Sequence, residues 1–178
     1  MPRLFVGLPI PPVAYDFCSR AVANCPAVRA TAVTKLHLTL HFLGDIAHTQ
    51  QQEVCEQLRE IQINAFDVTL SGRGVFHPSA GHGVLWTGIT DSMELRTLQR
   101  LTGWALTRSG LQPENRPWRP HVTIARFRST RFPPQQQQQF LEEDGGEKLV
   151  FRTTEFLLYE SRADQPDYYP VLQQFPLL

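Results

Sequence analysis

Lysine is scarce in this sequence of 178 residues: only Lys35 and Lys148 are lysines among 17 basic residues, and the rest are arginines. Net charge is also lacking, because 17 acidic residues cancel the 17 basic ones, which argues against a protein that coats duplex nucleic acid by bulk electrostatics. No run of about 18 apolar residues occurs, so no transmembrane helix is expected. Met1-Pro2-Arg3 leads directly into Leu4-Phe5-Val6-Gly7 without the charged and small-residue flanks of a signal peptide, and the expected location is cytoplasmic. The three cysteines, Cys18, Cys25 and Cys55, have no CxxC spacing, so neither a disulfide framework nor a zinc knuckle is indicated and all three are expected to pack in the interior. One local deficit stands out: Asn115 to Leu141 contains no Asp or Glu but holds Arg116, Arg119, Arg126, Arg128 and Arg131. A phosphate-facing surface can therefore exist on a neutral protein.

What is present suffices for a packed core. Hydrophobic residues make up 42% of the chain, and the length of residues 1–178 fits one domain or two closely packed lobes. Arg3 to Ile10 reads as a strand ending at Pro11-Pro12, followed by a helix with Val13, Phe17 and Ala21 at helical spacing. Lys35 to Phe42 alternates as a strand, and Thr49 with Gln52 offers a capping box to a helix bearing Val54, Leu58 and Ile61. Phe66 to Phe76 and Gly83 to Ile89 are strand-like. Asp91 with Glu94 precedes a helix carrying Leu95, Leu98, Leu101 and Ala105, which Gly110 is placed to end. His121 to Phe127, Phe151 to Tyr159 and Tyr169 to Phe175 read as strands, while helix and loop are both open for Pro133-Pro134 and the glutamines after it. Several strands follow one another without a crossover helix, which favours α+β with antiparallel pairing over a parallel βαβ array.

One four-residue pattern occurs twice, as His37-Leu38-Thr39-Leu40 and His121-Val122-Thr123-Ile124. Two chance matches would arise in roughly a few chains per ten thousand of this composition. In a strand, residues two apart share a face, so each motif sets an imidazole beside a hydroxyl while its aliphatic residues enter the core. Two such strands facing across a cleft can surround a phosphate. Histidine suits that task because its ordinary pKa of about 6.5 lets one copy be a neutral base and the other a protonated acid near neutral pH. Carboxylates would repel the phosphate, and most would lack a proton to donate. Thr39 and Thr123 can donate hydrogen bonds to non-bridging oxygens, where charge builds during displacement.

The chain resembles the 2H phosphoesterase superfamily, specifically the RNA 2′,3′-cyclic phosphodiesterases also called 2′-5′ RNA ligases. The resemblance is carried by Arg3-Leu4-Phe5, by Leu36 to Asp45, by Arg119 to Arg126 and by Thr154 to Tyr159. It implies a bilobal α+β fold, two antiparallel-type sheets with flanking helices, pseudo-two-fold lobes and a central cleft. It implies His37 as general acid, His121 as general base, and phosphate contacts from Thr39, Thr123 and Arg126. The implied partners are RNA ends with a 2′,3′-cyclic phosphate, tRNA fragments among them. A monomer is expected, working without cofactor or metal. In a straight strand Arg126 shares the parity of Val122 and Ile124 and would point away from His121, so the assignment needs a twist, a bulge or a side chain that reaches round.

Other residues carry less. His41 has the parity of His37 and Thr39 and is open to either the cleft mouth or plain exposure; His48, His77 and His82 lie in or beside turns and are expected to do no chemistry. Trp118, between Arg116 and Arg119, is open to stacking on a base or to closing the rim of the core. The alternative from another class is a non-catalytic binder of RNA ends using the same cleft. A histidine metal site is disfavoured, since neither motif has the ligand spacing of zinc sites.

Overall fold

The computed structural model describes residues 2–25, 27–165 and 167–178. β1 (Arg3–Pro9) runs into a 3-10 turn (Pro12–Ala14) and then α1 (Tyr15–Ala21). The tighter 3-10 winding rotates the apolar face by one residue relative to an all-α segment. Ala14, Cys18 and Val22 therefore enter the core, and Val13 is 65% exposed, where the sequence spacing names Val13, Phe17 and Ala21. β2 (Arg29–Ala30) is too short to leave a pattern, and it precedes β3 (His37–Asp45) and α2 (His48–Arg59). Thr49 does not cap α2: the helix begins two residues earlier than such a cap would set it, and its N-cap Ala47 makes no side-chain bond. Val54 and Leu58 are buried as their spacing requires.

β4 (Phe66–Ser79) and β5 (His82–Ile89) form a hairpin closed by the two residues between them, with Gly81 at φ +75 where a side chain would be strained. α3 (Met93–Arg108) is capped by Ser92, whose hydroxyl accepts the Leu95 N–H at 3.2 Å. Asp91 instead pairs with Arg96. After β6 (His121–Arg128), the proline-glutamine segment is helical, α4 (Pro134–Glu142), anchored by Phe140 at 1% exposure. The run from Phe151 to Tyr159, which reads as one strand, is two: β7 (Lys148–Thr153) and β8 (Glu155–Ser161) break at Thr154 and go to opposite halves of the sheet, and β9 (Val171–Pro176) follows.

The strands lie in the order β7-β4-β5-β6-β3-β1-β8-β9, with β2 beside β6, and every pairing is antiparallel. The α+β class with antiparallel pairing is thus what the protein adopts. Its two four-stranded halves, β7-β4-β5-β6 and β3-β1-β8-β9, are joined in the sheet, among the described residues, by the single register pair Leu38↔Val122. Each half carries one histidine motif on its innermost strand. The inward face of both strands, with Leu38, Leu40, Val122 and Ile124 all at 2% exposure or less, is part of one core. α1 touches β6, and α3 touches β3. Among the described residues, no helix is long and apolar enough to cross a membrane. The three cysteines are buried and unpaired, and burial raises the Cys18 thiol to about 11.

Candidate active site

The junction of the two halves builds the site. With Leu38 opposite Val122, antiparallel register places His37 opposite Thr123 and Thr39 opposite His121, all four on the face away from the core. Each imidazole thus has its own motif's hydroxyl along the strand and the other motif's hydroxyl across it. The two histidines sit on the diagonal of that square, a separation of roughly 7–8 Å between backbones, which leaves room for one phosphate between the rings. The antiparallel ladder has a local two-fold axis at the Leu38–Val122 pair, which relates the two motifs.

Beyond the motifs, both strands carry a bulge at matching positions. β1 pairs Gly7 with Thr39 and Val6 with His41, skipping Leu40; β5 pairs Trp86 with Thr123 and Leu85 with Ala125, skipping Ile124. An extra residue reverses the parity of everything after it. Arg126 is therefore brought to the histidine face, which resolves the objection that a straight strand would aim it away. The same reversal turns His41 from the cleft: its ring lies against α3, and Nε2 donates to the Gln99 carbonyl at 2.7 Å. Phe42 takes the place that His41 would have held, and is 48% exposed in the cleft.

The two imidazoles are held alike. His37 Nδ1 lies 2.7 Å from the Lys35 carbonyl, and His121 Nδ1 lies 2.7 Å from the Arg119 carbonyl. A carbonyl only accepts, so Nδ1 carries the proton in both rings and each Nε2 is left for the cleft. Aromatic walls enclose them. Phe5 and Tyr169 stand 4.8 and 5.2 Å from the His37 ring, and Phe76 and Trp86 stand 5.0 and 5.9 Å from the His121 ring. Two glycines make this packing fit: a Cβ at Gly74 would lie 1.9 Å from the Trp86 ring, and one at Gly7 would lie 2.7 Å from the Leu38 carbonyl beside His37. Desolvation by these walls pushes His37 down to about 4 and also lowers His121. Each lies below the ordinary imidazole value, and His37 is displaced further.

The cleft occupies about 530 Å³ and contains the five residues expected from the sequence: His37, Thr39, His121, Thr123 and Arg126. Its lining adds Arg3, Arg29 and Lys35 and includes no carboxylate. Those three cations, with Phe42 and Tyr169, were not singled out by sequence pattern. Arg29 is delivered by the two-residue β2, which lies against Arg126 in register, and Lys35 sits over the Tyr169 ring at 4.3 Å. Burial and the nearby Arg126 and Arg29 charges lower the Lys35 pKa. Of the five arginines between Asn115 and Leu141, Arg126 alone lines this cleft. Trp118 closes the core rim, and its Nε1 donates to the Thr39 carbonyl at 3.0 Å. His77 and His82 lie in the β4–β5 hairpin and His48 begins α2, none of them lining the cleft. Such a site can bind an anion and pass protons on both of its sides.

Comparison with known proteins points the same way. The family model described as the 2′-5′ RNA ligase superfamily matches residues 19–165. The chain is similar to the RNA 2′,3′-cyclic phosphodiesterase of Escherichia coli, 30% identical over 138 residues, covering 76% of this chain and 71% of that protein. It is also similar to the protein of that name from Geobacillus stearothermophilus, 27% identical over 180 residues and 98% of this chain. The chain spans 57% of the length of that relative, and 54% and 52% of two further relatives of the same name. Among solved structures, E. coli LigT complexed with 3′-AMP superimposes with a TM-score of 0.77 at 25% identity, covering 99% of this chain and 98% of that one.

Proposed function

The chain belongs to the 2′-5′ RNA ligase superfamily of 2H phosphoesterases, and on that premise we propose that it hydrolyses the 2′,3′-cyclic phosphate at RNA ends by two-histidine acid/base catalysis. The observation that carries this reading is the symmetric presentation of two Nε2 atoms across a cationic cleft. His121 Nε2 takes a proton from water as the oxygen attacks phosphorus. The bond from phosphorus to the ribose 3′-oxygen breaks in line with that attack, and protonated His37 delivers its Nε2 proton to the departing oxygen. The product is a 2′-phosphate with a free 3′-hydroxyl, and a solvent proton exchange resets the pair. Thr39, Thr123 and Arg126 hold the non-bridging oxygens, whose charge grows in the transition state. An RNA 5′-hydroxyl in place of water would yield a 2′-5′ linkage without ATP. The chain is proposed to act as a cytoplasmic monomer.

A second reading exchanges the two roles, and a specific observation favours it. The deeper desolvation of His37 makes it the weaker proton holder in the empty cleft, so a proton shared by the pair rests on His121. The assignment of His37 as acid then requires bound phosphate to draw the proton across.

The test is incubation with a 2′,3′-cyclic mononucleotide, with and without chelator. Chelator should leave the rate unchanged, and His37→Ala and His121→Ala should each lower turnover by about 100-fold or more. The phosphate produced should resist an enzyme specific for 3′-phosphates; its removal would place the acid on the wrong oxygen. Binding without turnover would make the protein a binder of RNA ends. A nucleoside p-nitrophenyl phosphate separates the roles, because its leaving group needs no proton: the variant that lacks the acid keeps this activity, and the variant that lacks the base does not.

A further inference from the structure

A second concavity, about 1260 Å³ and larger than the histidine cleft, is a groove between α3 and the loop before β6. The proposed reaction makes no use of it. Its lining combines Arg96, Arg100 and Arg116 with Trp104 and Trp118, and its one carboxylate, Asp91, is already paired with Arg96 at 2.5 Å. Arg116 pairs with Glu114, while Arg100 makes no ion pair among the described residues. The Arg100 guanidinium instead lies 5.3 Å from the centre of the Trp104 ring, and that indole is 57% exposed. An exposed indole thus stands beside a guanidinium that has no acidic partner among the described residues. The combination offers a flat face for a base and a positive charge for a backbone phosphate, the two elements by which single strands are held without sequence reading.

The groove adjoins the cleft. β3 supplies Thr39 to the cleft and, beyond the bulge at Leu40, His41 from its opposite face to the groove. The loop before β6 forms the partition, with Trp118 bonded to the Thr39 carbonyl and Arg119 to the His121 ring. We propose that this groove holds the single-stranded RNA 5′ to the reacting end, with a base stacked on Trp104 and a backbone phosphate on Arg100. The inference rests on the RNA-end reading above and extends it from the terminal nucleotide to the strand.

The experiment compares a cyclic mononucleotide with an RNA of about ten nucleotides ending in the same cyclic phosphate, using wild type, Arg100→Ala, Trp104→Ala, Trp104→Phe and the double alanine variant. Both side chains are exposed on α3, so folding is retained. The double variant should raise KM for the oligonucleotide by about tenfold with kcat unchanged, leave the mononucleotide untouched, and weaken the salt dependence. Trp104→Phe should recover most of the loss. Equal effects on both substrates, or none on the oligonucleotide, would overturn the proposal. Anisotropy of a 5′-fluorescein RNA bearing a 2′-phosphate reads binding directly. If wild type turned over neither substrate, the RNA-end reading would fall, and equal binding by wild type and the double variant would dispose of the groove as well.

Discussion

The aromatic enclosure of the histidines has a measurable consequence for pH. A pair that works as acid and base is productive only when it shares one proton, and the fraction in that state falls tenfold per pH unit above the upper of its two pKa values. Burial places both imidazoles below the ordinary 6.5, His37 at about 4. At pH 7.5 no more than about one pair in ten then carries the proton, and at pH 8.5 about one in a hundred. kcat/KM for a 2′,3′-cyclic mononucleotide reports the free enzyme and should fall by about tenfold per unit from pH 6.5 upward. The alkaline limb of kcat should lie at higher pH, because a bound phosphate anion favours the protonated ring. Removing part of the wall with Phe76→Ala should wet His121 and move the kcat/KM limb upward as well. The assay is a steady-state series at constant ionic strength. A kcat/KM that stays level or rises between pH 6.5 and 8.5 would refute the claim that burial sets the working protonation state.

Three further perturbations test the cleft. Arg126→Ala should impair use of the cyclic phosphate far more than Arg128→Ala, since Arg126 alone of the two lines the cleft, and Arg126→Lys should rescue only in part for want of the planar fork; equal small losses would assign both to ordinary surface. Gly74→Ala sets a methyl group 1.9 Å from the Trp86 ring that walls His121, so chemical denaturation should show a loss of about 1–3 kcal/mol together with reduced turnover, and unchanged stability would contradict the packing. Between pH 6.5 and 4 the unfolded chain binds a proton at His37 that the native chain does not, so native stability should decline as pH falls through that window, by about 3 kcal/mol from this residue. In urea titrations at pH 7 and pH 4.5, His37→Gln should shrink the difference, and an undiminished difference would show that the ring is not desolvated.

The sequence by itself determined which motif side chains the cleft presents. Two His-x-Thr motifs in strand context, with period-2 spacing, dictate that each strand shows an imidazole and a hydroxyl on one face, and His37, Thr39, His121 and Thr123 do line one cleft. Antiparallel α+β organisation was legible from the order of apolar runs, because local periodicity reports which face of an element is buried. What periodicity cannot report is anything set by partners distant in the chain. The bulges at Leu40 and Ile124 exist because β1 and β5 pair in shifted register, and only they decide that Arg126 enters the cleft while His41 leaves it. The break at Thr154 sends β7 and β8 to opposite halves of the sheet, a topological event within a stretch that reads as one strand. Arg29 reaches the site from a two-residue strand too short to carry a pattern, Lys35 stands in a 3-10 turn (Val33–Lys35) before β3 although the alternation counts it into the strand, and the walls around each histidine come from Phe5, Tyr169, Phe76 and Trp86 on separate strands and loops. Desolvation is the sum of those distant neighbours, so the pKa of His37 belongs to the tertiary structure even though its identity as a titrating group was written in the sequence.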